Sequence, residues 1–189
     1  MGLDIVAYSK INKKPDERVS KILEKALLRI YDEDNILIEV DEHFEKTRED
    51  LHYRAPDLTK GDWYKSKETK TYHFIAGSYG YYNAFRRYLS EALVGVMPDV
   101  IWKNPENYLD SPCYELINFS DCEGEISWSI AEKLYNDMVH NEEKFKGYLE
   151  DLVADNILTV NSLNFYLGTY AHFKNAFELA KEEGVVIFT

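Results

Sequence analysis

Two glycine-bearing segments hold most of the residues that could do chemistry in this chain. The first, residues 77–87, carries Gly77, Ser78, Gly80 and two adjacent arginines, and the second, residues 118–125, carries three carboxylates. Each is a polar turn followed by the apolar spacing of an amphipathic helix. Because small residues, hydroxyls, amides and charges concentrate in these two places, we expect a functional site to be built from them.

The first segment has the features of a helix start that binds anions. Gly77 and Gly80 permit backbone conformations that other residues resist, and Ser78 can cap a helix that begins near Tyr81. Free N–H groups at such a start attract anions, and Arg86 would reach an anion or a buried carboxylate. No phosphate-loop Lys-Ser/Thr follows. The alternative is a well-capped core helix with a structural arginine–carboxylate pair.

Alternating carboxylates mark the second segment. In an extended chain Asp121, Glu123 and Glu125 would share one face, and with Asn118 and Ser120 they offer oxygen ligands for Mg²⁺, Mn²⁺ or Ca²⁺. Acidic residues before a helix also stabilise its dipole by about 0.3–1 kcal/mol each, so capping is an alternative. Their spacing does not match a calcium loop. We favour pairing with the arginines of the first segment and assign no metal ligand.

Histidine and cysteine add two possibilities. No two of the five histidines are four residues apart, so a helical zinc pair is not indicated. His73, shortly before the first segment, could carry a proton near neutral pH. A Cys122–His73 pair could act as a nucleophile, although no sequence motif typical of a catalytic cysteine flanks either residue. The two cysteines form no Cys-x-x-Cys motif, which favours a reducing cytoplasm.

Charge and hydropathy exclude some classes of partner. The 189-residue chain has 34 acidic and 22 basic residues and a formal net charge of −12. This charge opposes binding to nucleic acid and to anionic membranes, and no apolar run approaches the ~20 residues of a membrane span. We therefore expect a small polar ligand or a protein as partner, without membrane or nucleic acid. No motif specifies a cofactor.

Apolar periodicity predicts the elements that position the two segments. Strands are predicted over residues 2–8, 36–40, 72–76, 114–118 and 185–188. Helices are predicted to begin near Pro15, Tyr81, Ser127 or Ser129, Asn141, and Asn161 or Ser162, the last ending at Gly184. Ser129 and Glu132 match a capping box. Residues 96–112 contain three prolines and are predicted as a loop.

Strands at both ends of the chain and between helices predict one α+β domain over residues 1–189, with a small mixed sheet and four or five helices. The first and last strands are expected to be neighbours. Residues 41–71 interrupt the pattern with many charges, Pro56 and Gly61. Because so long a loop is unusual in a compact domain, we interpret it as an irregular excursion or a lid over the site.

The two segments also resemble those of an uncharacterised family of small bacterial and phage proteins. The resemblance lies in Met1-Gly2-Leu3-Asp4, in the Gly-Ser-Tyr-Gly-Tyr-Tyr-Asn-Ala-Phe-Arg run of 77–86, in the Glu-Leu-Ile-Asn-Phe-Ser-Asp-Cys-Glu-Gly run of 115–124, and in Lys133-Leu134. It implies a cytoplasmic protein with a site where the two motifs meet, and it implies no reaction. The family continues the second motif as Gly-x-Ile-Gly-Pro, whereas Ser127-Trp128 follows Ile126 here.

We therefore predict a binding module for a small polar ligand or a partner's segment at the junction of residues 77–87 and 118–125. The expected ligand-binding residues are His73, Gly77, Ser78, Tyr79, Arg86, Asn118, Ser120, Asp121 and Glu123. One alternative is a metal-assisted hydrolase that uses Asp121, Glu123 and Glu125 with His73 as proton carrier. Another is an acidic phage-type inhibitor that acts through its surface without a pocket.

Overall fold

The computed structural model describes residues 2–14, 44–46, 53–59, 62–66, 70–119 and 124–189. Within these ranges the chain forms seven strands, five α-helices and one 3₁₀ turn, and the predicted α+β class is confirmed. The elements in chain order are β1 (Asp4–Tyr8), β2 (Ile11–Lys14), β3 (Phe44–Lys46), β4 (Trp63–Ser66), β5 (Thr71–Ile75), α1 (Tyr79–Leu93), α2 (Pro98–Lys103), the 3₁₀ turn (Pro105–Asn107), α3 (Tyr114–Ile117), β6 (Gly124–Ser127), α4 (Trp128–Ala154), α5 (Val160–Ala180) and β7 (Val185–Phe188).

The main sheet has four strands in the order β5-β1-β7-β6. The first and last strands are neighbours as predicted, with Ile5 opposite Phe188. Every pairing in the described sheet is antiparallel, although a mixed sheet was expected. The physical reason at β6 and β7 is that two helices, α4 and α5, lie between them. Helix α4 leaves the end of the sheet where β6 finishes, and α5 returns the chain to that same end. β7 therefore starts where β6 finishes and runs in the opposite direction.

One face of the main sheet packs against the three long helices around Phe173 of α5. The Phe173 ring lies 5.0 Å from the ring of Phe74, 5.5 Å from Phe85 and 5.9 Å from Phe188, and all four side chains are buried. Each strand contributes alternate residues to this face, as the period of two requires. This aromatic core fixes α1 across the sheet and thereby sets where the first glycine segment points.

The other face carries a smaller core and a second sheet. The second sheet has three antiparallel strands in the order β2-β4-β3. The smaller core consists of six buried residues, Tyr8, Ile11, Ala55, Leu58, Val185 and Ile187. Strands β3 and β4 and residues 53–59 all belong to the 41–71 segment, so its described parts are ordered, and residues 53–59 pack on the main sheet.

Three local predictions are wrong. Residues 114–117 form the short helix α3 and not a strand; all four are buried, so no periodicity in polarity distinguishes the two. The helix break expected at Asn141 is absent, because α4 runs unbroken for 27 residues and the Asn141 Nδ2 donates to the Asp137 carbonyl at 2.8 Å. The loop predicted over 96–112 contains α2 and the 3₁₀ turn. The helix from Pro15 and the strand over 36–40 lie outside the described residues.

None of the helices in the described ranges combines the length and the apolar character that crossing a bilayer requires.

Candidate functional site

The two glycine turns lie at the same end of the main sheet but on opposite edges. Gly77 follows β5, whose last residue Ile75 is opposite Asp4, and Gly124 begins β6 opposite Phe188. Strands β1 and β7 separate the two edges, which corresponds to about 14 Å at ordinary strand spacing. Gly77 and Gly124 therefore share an end of the sheet but lie three strand spacings apart.

Helix α1 connects the two segments through buried hydrogen bonds. The Tyr82 hydroxyl donates to the carbonyl of Phe119 at 3.0 Å, and Arg86 Nη1 donates to the carbonyl of Ile117 at 2.8 Å. The last carbonyls of a helix lack partners within it, and Ile117 ends α3. Arg86 thus satisfies the end of a neighbouring helix from the first segment, a role that its residue type did not predict.

The surroundings of Arg86 enclose it. Its residue is only 2% exposed, Nη2 donates to Asn83 Oδ1 at 2.6 Å, and its guanidinium carbon lies 5.2 Å from the Tyr82 ring and 5.3 Å from the Trp102 ring. Aromatic faces attract the cation and cover it. In this arrangement Arg86 is a buried structural cation between two rings. It does not face solvent, as the expected ligand-binding arginine would.

Asn118 is also held within the protein. Its Nδ2 donates to the Tyr114 hydroxyl at 3.1 Å. Burial, followed by the neighbouring Tyr53, raises the pKa of Tyr114, so this hydroxyl stays protonated at neutral pH. Ser120, Asp121 and Glu123, together with Cys122, lie outside the described residues. Arg86 and Asn118 are therefore the two predicted site residues that the structure places beside α3.

A second buried arginine, which the sequence did not single out, lies on the other side of the same segment. The guanidinium carbon of Arg54 is 3.5 Å from the centre of the Phe119 ring, a close cation–π contact. The Arg54 carbonyl accepts from the Ser127 N–H at 3.0 Å, which attaches residues 53–59 to β6. Glu125 is buried on the same strand. The only sequence signal was an arginine between Tyr53 and Ala55 in a charged stretch.

Asp57 fixes residues 53–59 to the start of α4. Its carboxylate accepts from the Ser127 hydroxyl at 2.6 Å, the Ser129 hydroxyl at 2.6 Å and the Ser129 N–H at 2.9 Å. A carboxylate at a helix N-terminus satisfies orphan donors and opposes the dipole. The local capping box predicted from Ser129 and Glu132 is replaced by a residue 72 positions away.

An ion-pair cluster holds α3 against α4. Lys133 Nζ lies 2.7 Å and 3.0 Å from the Glu115 carboxylate oxygens and 3.9 Å from Asp137, whose carboxylate accepts from the Cys113 N–H at 2.8 Å. Burial, and then the charge of Asp137, raises the pKa of the Cys113 thiol. Because the thiolate is the reactive form, burial and the raised pKa both disfavour a nucleophilic role for Cys113.

The first glycine turn, in contrast, faces solvent. Ile75 is 59% exposed, Tyr79 40% and Tyr81 53%. Gly77 has φ +89°, and a Cβ there would lie 3.0 Å from Phe165 and 3.1 Å from Tyr81, so only glycine fits between them. The Tyr81 and Phe165 rings are 5.0 Å apart. We call Ile75, Gly77, Tyr79, Tyr81 and Phe165 the turn surface.

Two further predicted residues border the turn surface. Ser78 is the exposed N-cap of α1, as predicted, but its side chain makes no capping hydrogen bond. His73 Nε2 lies 3.1 Å from Asp4 Oδ1, and the two side chains are 56% and 47% exposed. The structure thus brings His73, Gly77, Ser78 and Tyr79 together at the β5 edge, away from Arg86 and Asn118.

In the ranges that the structure covers, no three His, Cys, Asp or Glu side chains gather as a metal site would require. No family model, curated protein or solved structure matches this chain. The resemblance to small bacterial and phage proteins therefore stays a prediction.

Proposed function

We propose that this protein is a binding module that holds a segment of a partner protein on the turn surface and the adjoining edge of β5. The observation that carries the proposal is the exposure of three large apolar side chains, Ile75, Tyr79 and Tyr81, within seven residues around Gly77. Exposed large apolar side chains that lie close together along the chain mark interaction sites more often than scattered ones do. Tyrosine is enriched in protein interfaces because its ring packs while its hydroxyl remains hydrated.

The contacts of the polar residues support a protein segment over a small polar ligand. Arg86 and Asn118, which were expected to hold such a ligand, donate hydrogen bonds to Ile117, Asn83 and Tyr114. Four of the residues expected from the sequence, His73, Gly77, Ser78 and Tyr79, belong to or border the exposed surface. The proposal thus keeps the first segment as the binding site and gives the junction with the second segment a structural role.

The cytoplasm remains the proposed location. It is supported by Cys113, a free and buried thiol, which is compatible with a reducing compartment. The metal-assisted hydrolase would use Asp121, Glu123 and Glu125; the first two lie outside the described residues, and Glu125 is buried on β6. No contact in the described part of the chain favours it.

The proposal is tested by selecting binders from a random library of displayed peptides of about ten residues, the length of a long strand, against the intact protein. We expect enriched peptides to bind the double variant Ile75→Ser/Tyr81→Ser at least about tenfold more weakly, which corresponds to about 1.4 kcal/mol. The matched control is Leu109→Ser/Val139→Ser, which also removes two exposed apolar side chains.

Circular dichroism and thermal unfolding of both double variants establish that each is folded. Peptides that bind the wild type and the Ile75/Tyr81 variant equally well would contradict the proposal. So would a selection that enriches no binder.

A further inference from the structure

The outer edge of β5 presents backbone groups that no described strand uses. Asp4 exchanges two backbone hydrogen bonds with Thr189 on the β7 side, at 3.0 Å each, whereas Leu3 accepts from the Ala76 N–H at 2.9 Å on the β5 side. In an antiparallel ladder the direction of these groups alternates along each strand. Tyr72 and Phe74 therefore direct their backbone N–H and C=O groups toward β1. The N–H and C=O groups of Thr71, His73 and Ile75 point away from the sheet.

Within the described ranges the opposite edge of the same sheet is covered and the β5 edge is not, and this difference is informative. On β6 the outward Ser127 N–H donates to the Arg54 carbonyl, so residues 53–59 occupy that edge. Exposed edges are normally protected by charged side chains, proline, bulges or a covering segment. The β5 sequence, Thr-Tyr-His-Phe-Ile, contains no proline, lysine, arginine or acidic residue. Its ladder with β1 is regular over five residue pairs.

We propose that the partner segment binds as an added strand along the outer edge of β5, and that the segment is basic, with apolar and cationic side chains in alternation. This inference rests on the proposed function and specifies its partner. An added strand uses the outward backbone groups of β5 for affinity, and alternate side chains give specificity. One side of the added strand would pack beside His73 and Ile75, which share a face of the sheet.

The charge of the partner follows from Asp4 and from the whole chain. Asp4 lies opposite Ile75 in the β1–β5 ladder, so it shares a face with His73 and Ile75. Within the described ranges, the cationic group that Asp4 contacts is His73, which is charged only when protonated. A lysine or arginine on the added strand can extend its long side chain across β5 toward this carboxylate. A net charge of −12 attracts a basic segment and opposes pairing of β5 with a second copy.

The experiment uses the best binder from the peptide selection and scans it with N-methyl groups, one amide at a time. An added strand donates from every second amide, so we expect methylation to weaken binding about 5- to 10-fold at alternate residues. The intervening residues serve as the internal control. Replacing the basic residues of the peptide with norleucine should also weaken binding to the wild-type protein. The same replacement should weaken binding to the Asp4→Asn variant less, because the carboxylate that the basic residue contacts is then absent.

A variant on the protein side tests the same geometry. His73→Pro removes one outward N–H while leaving the hydrogen bonds to β1 in place, and it should weaken peptide binding about 5- to 10-fold more than His73→Ala does. Thermal unfolding shows whether the proline variant is folded. If it is not, the N-methyl scan decides by itself.

Three results would overturn this inference. An N-methyl scan without alternation would exclude the added strand while leaving the binding module intact, and selected peptides without basic residues would exclude a basic segment. Self-association of the wild type in sedimentation experiments, abolished by His73→Pro, would identify a second copy as the occupant. Failure of the proposed function is distinguishable from all three, because in that case no peptide discriminates the Ile75/Tyr81 variant from the wild type.

Discussion

Arg86 on α1 donates a 2.8 Å hydrogen bond to the carbonyl of Ile117 at the end of α3, and both residues are buried. This bond ties the first polar segment to the residue that precedes the second one. Within the first segment, Arg86 and Tyr82 therefore point to the interior, whereas Tyr79 and Tyr81 are exposed. The binding surface that we propose depends on this division, because α1 must be fixed for the turn before it to be presented.

We predict that Arg86→Leu destabilises the protein, because it leaves the Ile117 carbonyl and the Asn83 amide oxygen without this donor. Hydrogen bonds to charged groups contribute about 1.5–3 kcal/mol, and a loss of this size in the free energy of unfolding is expected in urea titrations. Arg87→Leu is the matched control, since Arg87 is exposed and its ion pair with Glu91 is 3.5 Å long. Its effect should stay within about 0.5 kcal/mol. Equal effects of the two variants would contradict the structural role of Arg86.

The start of α4 gives a second prediction. Asp57→Ala removes the acceptor of three hydrogen bonds and should lower the free energy of unfolding by about 0.5–2 kcal/mol, as loss of a helix cap does. Glu132→Ala tests the local capping box in the same titration and should change stability by less than about 0.5 kcal/mol. A larger loss in the Glu132 variant than in the Asp57 variant would show that the helix is capped locally.

The hydrogen bond and burial of Tyr148 predict that the free energy of unfolding depends on pH in the alkaline range. Its hydroxyl donates to Glu91 at 2.8 Å, and burial, followed by this bond and the charge of Glu91, raises the pKa of Tyr148 from 10.0 to about 12. The protonated form is favoured by folding. Its contribution to stability is therefore complete below about pH 10 and is lost as the pH rises to about 12.

The measurement is the difference in unfolding free energy between the wild type and Tyr148→Phe, across the interval from about pH 9 to about pH 12. We expect the advantage of the wild type to shrink steadily above about pH 10. A difference that does not depend on pH would contradict the raised pKa. The comparison with phenylalanine is needed because burial also raises the pKa of Tyr166 and Tyr170.

Cys113 should be inert in the folded protein. In a Cys122→Ser background it is the only thiol, and its burial and raised pKa predict that a disulfide reagent at neutral pH modifies it at least about tenfold more slowly than in urea. Absorbance of the released thiolate measures both rates. Equal rates would show that the segment around α3 opens readily, contrary to its ion pairs with Lys133.

Local patterns predicted much of the fold, and long-range contacts account for what they missed. β7 was predicted over the residues it occupies, and Ser78 was identified as the N-cap of α1. The strand expected at 114–118 is a helix because Tyr114 to Ile117 are buried on all sides and carry no periodic signal. The Ile117 carbonyl that Arg86 binds is 31 residues away, and the serines that Asp57 binds are 70 or more residues away. No pattern of residue types identifies such a partner.

Hydrogen exchange of the β5 amides tests the central claim most directly. In the free protein the outward N–H of His73 should exchange quickly, while the N–H of Phe74, directed toward β1, is protected. On saturation with the selected basic peptide, we expect the His73 amide to slow by at least about tenfold, as for a newly hydrogen-bonded strand. An unchanged His73 exchange rate in the saturated complex would contradict the binding of a partner strand at this edge.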